Sequence, residues 1–211
     1  MKRIIMVSYP ISGSTVLYES ILKIFKENGK EISGCTNYHA CVRVPCECKN
    51  PALLTKTHDF DLDHKISDDN LYIIIVRKNK MENIERYIRF ELGYLNNPDP
   101  SNTVKRIIPI KKEELDGISH LIKPYHDYYD NFLKKYIKPE NKNFCIIFKE
   151  DFEENPMDTL KNIINFLGIE IINGNIDDYV KNMLDKNPIK FTKFDPGYNN
   201  WIAQEFNKYI V

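Results

Sequence analysis

The sequence has a single tryptophan, no excess of either charge and no apolar run long enough to cross a bilayer, and each shortage narrows what the chain can be. Lysine plus arginine equal aspartate plus glutamate at 30 each. That balance argues against a whole-molecule polycation built to hold duplex DNA or anionic lipid. At the N-terminus, Met1-Lys2-Arg3 is followed by only four apolar residues, Ile4 to Val7, too few for a signal-peptide core or a membrane span. The expectation is a soluble, cytoplasmic protein with neither a nucleic-acid nor a membrane partner. The five cysteines are an odd number in a chain too large to need stapling, which fits reduced thiols better than a disulfide framework. No internal repeat, low-complexity tract or interdomain linker interrupts the chain. Its 211 residues suit one domain, 1–211, large enough to enclose a core and a ligand cleft.

What is present supports a packed interior: 42% of residues are hydrophobic and 12% aromatic. Residues 3–8 form a compact apolar run closed by Tyr9-Pro10, and 14–28 show helical spacing at Leu17, Ile21, Ile24 and Phe25 before Gly29. Short β-branched or aromatic runs recur at 52–56, 71–76 and 144–148, of the kind buried on both faces of a parallel sheet. Helical patterns cover roughly 80–94 and 112–136, the second interrupted by Pro124. Another helix opens at Asn155-Pro156, a cap followed by proline at the first helical position, and closes at Gly168. Strands alternating with helices give an α/β fold, a mainly parallel central sheet flanked by helices. Residues 95–111 read as a loop.

The segment richest in chemistry is Ser8-Tyr9-Pro10-Ile11-Ser12-Gly13-Ser14-Thr15, where the first strand turns into the first helix. A small, hydroxyl-rich turn there exposes backbone N–H groups and a helix N-terminus, which together suit phosphate. The place is right for a ligand, beyond the carboxyl end of a strand. A Walker A loop is excluded, because Gly-Lys-Ser/Thr is missing. Taken alone, such a turn is equally a capped loop that binds nothing.

Four segments in order carry a resemblance. Pro10-x-Ser12-Gly13-Ser14-Thr15 with Glu19, then Lys56-Thr57-His58, then Ile73-Ile74-Ile75-Val76-Arg77-Lys78-Asn79-Lys80 running on to Tyr87 and Phe90, and finally Phe148-Lys149-Glu150-Asp151-Phe152-x-x-Asn155-Pro156 with Ile163 to Gly168, resemble the sulfotransferases that use 3′-phosphoadenosine-5′-phosphosulfate (PAPS). Over residues 3–168 the resemblance implies the P-loop-like sulfotransferase architecture. It implies a 5′-phosphosulfate site at Ser12, Gly13, Ser14 and Thr15, and a 3′-phosphate site at Arg77 and Arg86. His58 and Lys56 would be the catalytic residues. The tail, Lys190 to Trp201, is similar to a weakened form of the loop that wraps the 3′-phosphoadenosine, which assigns Lys193, Gly197 and Trp201 to the nucleotide. Trp201 is equally an anchor for the last helix beside Phe206. The implied donor is PAPS, the product 3′,5′-adenosine bisphosphate (PAP), and no metal is expected.

The departures from the pattern matter too. Where the family carries a loop lysine, a tryptophan and an adenine-stacking tyrosine, this chain has Ile11, Val16 and Lys149. Loss of a donor aimed at developing charge typically costs about 10²–10³ in rate. Three alternatives follow: a slow enzyme, a cation from elsewhere, or a sulfotransferase-like protein that holds the nucleotide or a sulfated ligand without turnover. Arg86 stands near the family's 3′-phosphate serine and offers a bidentate contact in place of a hydroxyl.

Sulfuryl transfer needs a base for the acceptor hydroxyl or amine, and His58, ordinarily titrating near 6.5, can serve at neutral pH. Lys56, two residues earlier on an extended segment, leaves the same face and can steady the sulfonate. Asp59 points to the other face and is not expected to partner His58. The cluster Cys35, His39, Cys41, Cys46 and Cys48 has the ligands but not the knuckle spacing of a zinc site, and reads as a loop over the acceptor cleft. Tyr125, Tyr128, Tyr129, Phe132 and Tyr136 fall at helical spacing and read as core rather than as a base-stacking platform. The acceptor, a small molecule, glycan or peptide, is not specified by any motif, and neither is the oligomeric state.

Overall fold

The computed structural model describes residues 2–30, 32–35, 53–96, 113, 115–189, 205, 206 and 208–210. Lys193, Gly197 and Trp201 lie outside these, as do the cysteine and histidine segment after Cys35 and residues 97–111 of the stretch 95–111 expected as a loop, whose first two residues close a helix instead. The chain divides into two compact units, Met1–Lys78 with Lys135–Phe191, and Asn79–Lys134 with Thr192–Val211.

The first unit holds a parallel sheet of strands β1 (Arg3–Ser8), β2 (Gly34–Cys35), β3 (Leu54–Thr57), β4 (Asn70–Val76) and β5 (Phe144–Phe148), in the order β2-β3-β1-β4-β5. This is the α/β fold expected from the alternating runs. Ile4, Ile5, Met6 and Val7 are buried on consecutive positions, as are Ile73 to Val76, the continuous apolar run characteristic of a parallel strand. β1 pairs with β3 from Ile4↔Leu54 to Val7↔Thr57, and with β4 from Arg3↔Asn70 to Ser8↔Ile75. Ser8, Thr57 and Val76 therefore end at one edge. The strands that follow β1 lie first on one side of it and then on the other, so the crevice beyond Ser8 is where the strand order reverses.

Helix α1 (Ser14–Glu27) buries Leu17, Tyr18, Ile21, Ile24 and Phe25 in one core with Ile4, Met6, Ile73 and Ile75. Each such fully buried side chain contributes about 1.5–3 kcal/mol. The end of α1 is turned by Gly29 at φ 69°, a value that only glycine adopts without strain. After β5 come α4 (Lys149–Glu154), α5 (Pro156–Leu167) and α6 (Ile176–Lys186). Asn155 caps α5 by accepting a hydrogen bond from the Asp158 amide at 3.3 Å, and Gly168 ends it at φ 61°. Asn175 caps α6 in the same way at 2.9 Å.

The second unit contributes α2 (Lys80–Asn96) and most of α3 (Leu115–Tyr136). Asn79 opens α2, its side-chain oxygen accepting from the Glu82 amide at 3.1 Å. Pro124 does not break α3: the helix runs through it, with Ile122, Tyr129, Phe132 and Tyr136 buried on either side. Burial of that stripe outweighs the hydrogen bond that proline cannot donate. Tyr129, Phe132 and Tyr136 are thus core, as their spacing indicates. The apolar run read at 52–56 is shifted to 54–57, because polar Lys56 and Thr57 are buried at the strand's carboxyl end. No helix among the described residues is long and apolar enough to cross a membrane.

Candidate active site

The turn after β1 carries unusual backbone. Ile11 has φ 59°, a region costly for a β-branched residue, and Gly13 follows at φ 81° as the cap position of α1. Such strain persists only where the surroundings hold it. Here Arg77, buried at the end of β4, donates from Nε to the Ile11 carbonyl at 3.3 Å. Arg77, which the sequence resemblance assigns to a 3′-phosphate, braces the loop in this structure.

Gly13 offers α1 no side-chain cap, so the helix's first-turn N–H groups keep their bias toward an anion. Ser12 is fully buried, and its Oγ has no hydrogen-bond partner among the described residues. An orphaned buried hydroxyl costs about 1–3 kcal/mol and fits a loop that completes its bonding on a ligand. Ser14 is buried at the first helical position, and Thr15 presents its hydroxyl to Lys56, whose Nζ donates to Thr15 Oγ1 at 3.0 Å.

Lys56 is buried at the end of β3, and that desolvation pulls its pKa down to about 7 against the opposing attraction of Glu19. His58 follows. Its Nδ1 lies 2.9 Å from the Ser8 carbonyl and 3.0 Å from Ser8 Oγ. A carbonyl only accepts, so Nδ1 carries the proton and the basic lone pair is on Nε2. Burial, and next the nearby Lys56 charge, pull His58 down to about 4, with the Ser8 hydrogen bond opposing. The imidazole is therefore neutral at pH 7.

Asp59 does not serve His58. It has φ 47°, and its carboxylate accepts from Lys135 Nζ at 2.8 Å, from the Tyr136 hydroxyl and from the His64 amide at 3.1 Å. Burial works upward on this carboxyl, but those hydrogen bonds outweigh it and hold the pKa below its ordinary value. The network pins the turn that follows His58. His64, half of a buried pair with Tyr72 at 3.2 Å, belongs to the same packing.

On the other side of the loop stands Lys149, first residue of α4 and almost fully buried. Its Cε, Cδ and Cγ lie 3.4, 3.5 and 3.6 Å from the point where Gly13 would carry a Cβ, and its ammonium pairs with Glu153. Glu150 accepts from the Lys78 amide at 2.9 Å and Asp151 pairs with Lys78 Nζ, tying α4 to the end of β4.

The structure thus brings Ser12, Gly13, Ser14, Thr15, Lys56, His58 and Arg77 together in the first unit. Arg86 stands on α2 in the second unit, where Glu82 takes its guanidinium at 2.7 Å. Two functional positions are not legible in the motifs. Ser8 as the partner of His58 follows only from the pairing of β1 with β3, and Lys149 reads in sequence as a substitution, not as a neighbour of Gly13. Among the described residues, no three His, Cys, Asp or Glu side chains are grouped to hold a metal ion.

Comparison with curated proteins returned no match. Among solved structures, the chain is similar to a mouse sulfotransferase, SULT7A1, complexed with PAP, at 21% identity and TM-score 0.56 over 86% of this chain. The chain spans 63% of the length of that structure. It is similar also to retinol dehydratase in complex with androsterone and inactive cofactor PAP, at 14% identity and TM-score 0.54, covering 99% of this chain and 79% of the other. A sulfotransferase from Alicyclobacillus acidocaldarius matches at 11% identity and TM-score 0.53, over 100% and 91% of the two chains. These likenesses agree on the fold. The sulfotransferase domain family matches residues 1–194, nearly the whole of the strand, loop and helix framework described above, and the chain belongs to that family.

Proposed function

We propose that the chain transfers the sulfuryl group of PAPS to a hydroxyl or amine of a small molecule, glycan or peptide. The observation that carries this reading is the placement of a tautomer-fixed imidazole and a buried lysine at the two ends of one anion-ready loop: His58 on Ser8, Lys56 on Thr15. The loop fits the 5′ end of the nucleotide, with first-turn amides of α1 and the orphaned Ser12 hydroxyl as donors. In the transfer the acceptor oxygen or nitrogen attacks sulfur in line, its proton passes to His58 Nε2, and the bond from sulfur to the bridging phosphate oxygen breaks. Lys56, recharged beside the phosphates, offsets the negative charge that collects on the departing nucleotide. The chemistry needs no metal.

Two measurements test it. Calorimetry should show PAP binding to the intact protein, weakened by Arg77→Ala. Radiolabel transfer from PAPS to a panel of phenols, sugars and peptides should be abolished by His58→Ala. A second reading, a nucleotide-binding protein without turnover, draws on the absence of a basic residue between Pro10 and Thr15. Transfer that depends on His58 excludes it; PAP binding with no transfer to any acceptor establishes it. If the intact protein binds no PAP, both readings fall.

A further inference from the structure

The loop from Pro10 to Thr15 has no cationic side chain of its own, yet one lies across it. The Lys149 stem runs along Gly13 with Cε nearest, at 3.4 Å from the position of an absent Cβ, so the ammonium one bond further on is beside the start of α1. Gly13 has to be glycine for its φ of 81°. Without a side chain it also leaves the groove in which this stem lies. We infer that Lys149, held from α4, is the loop's cation and contacts the 5′-phosphate end of the nucleotide; this rests on the reading of the loop as the PAPS site.

Three observations converge. First, Lys149 is 6% exposed, and a side chain kept there only to fill space over Gly13 would be cheaper as an apolar one, because a buried ammonium costs several kcal/mol before it is paired. Retaining the charge calls for an anion. Second, Glu153 supplies a counter-charge, but its own side chain is 34% exposed against 8% for Lys149, so the carboxylate is partly held by solvent, and an ammonium with three donors can bond a phosphate as well as Glu153. Third, the uncapped amides of α1 and the orphaned Ser12 hydroxyl are at the same turn, so cation, amides and hydroxyl all favour one negative group. Lys149 stands where the adenine-stacking tyrosine of similar sequences stands. In this chain the position has passed from base to phosphate.

The test compares two ligands by calorimetry, PAP and adenosine 3′-monophosphate, which lacks the 5′-phosphate. Lys149→Met should weaken PAP by at least about tenfold, the scale of a lost charge-assisted contact, while 3′-monophosphate binding stays within about twofold. Adding Ile11→Lys to that variant should restore PAP binding, since an unbranched lysine suits φ 59° better than isoleucine and returns a cation to the loop. Should Lys149→Met not fold, Lys149→Gln, which keeps a polar end for Glu153, is read by the same criteria. Unchanged PAP affinity, or equal losses on both ligands, overturns the role of Lys149 and leaves the PAPS reading standing. An intact protein that binds neither ligand removes the PAPS reading itself.

Discussion

His58 and Lys56 are two residues apart and both titrate below their ordinary values, because burial disfavours either charge. The proposed transfer needs His58 neutral and Lys56 charged. The free protein should therefore give a bell in kcat/KM, rising through about pH 4 as His58 loses its proton and falling through about pH 7 as Lys56 does. A pH–rate series checks both limbs, and Lys56→Arg, whose guanidinium stays charged, should remove the upper one. The same lysine affects stability. Its folded pKa is about 7 against 10.5 unfolded, so between these values the unfolded chain binds more protons and stability rises with pH. Below pH 7 the whole penalty is present. Lys56→Met should accordingly melt higher than the parent at pH 7, with the gap closing toward pH 10; an equal gap at both pH values contradicts the burial argument. Thr15, the hydrogen-bond partner lost in that variant, is exposed and is solvated without cost.

At the scale of elements, the connection from β1 to α1 is where strain and function coincide. Gly13→Ala would put a methyl group at φ 81° and 3.4 Å from the Lys149 stem, costing about 1–2 kcal/mol in backbone alone. The expected result is a lower melting temperature together with weakened PAP binding. Asn155→Ala, which removes the cap of α5 far along the chain from the loop, should cost about 1 kcal/mol and leave PAP affinity unchanged. The pair separates damage to the site from damage to the fold. Much of this framework is legible in the sequence. β1, β4, β5, α1 and α5 announce themselves by unbroken apolar runs or by cap, proline and glycine punctuation. Elements without such signals are harder to read: α4, written Lys-Glu-Asp-Phe-Glu-Glu, has one buried hydrophobic residue, Phe152, and β2 is two residues long. The core around α3 overrides Pro124. Ser8 and Lys149 come into the site through strand pairing and through the start of α4, contacts between residues 50 and 136 positions apart that no local pattern records.

For the whole molecule, a formal charge of zero conceals an uneven distribution. Residues 1–60 carry eight cations and five anions, and residues 111–211 carry 14 and 17. The excess of positive charge is in the segment that holds the loop, Lys56 and His58, and one of those cations is only partly ionised at neutral pH. The charge of the site thus depends on its ligand. When the phosphates of a nucleotide arrive beside Lys56, an opposite charge at close range favours the ammonium and raises its pKa. At pH 8 the free protein holds Lys56 largely as the amine and the ligand's phosphates are ionised, so binding should draw close to one proton from solution onto Lys56. Calorimetric titration of PAP in two buffers of different ionisation enthalpy measures that uptake directly. Lys56→Met should abolish it, whereas His58→Ala should leave it intact, since His58 is neutral at that pH. Equal heats in the two buffers at pH 8 contradict the coupling. On the proposed function, a protein neutral as a whole would hold a multiply charged nucleotide by gathering cations at one buried turn and completing their charge only as the ligand enters.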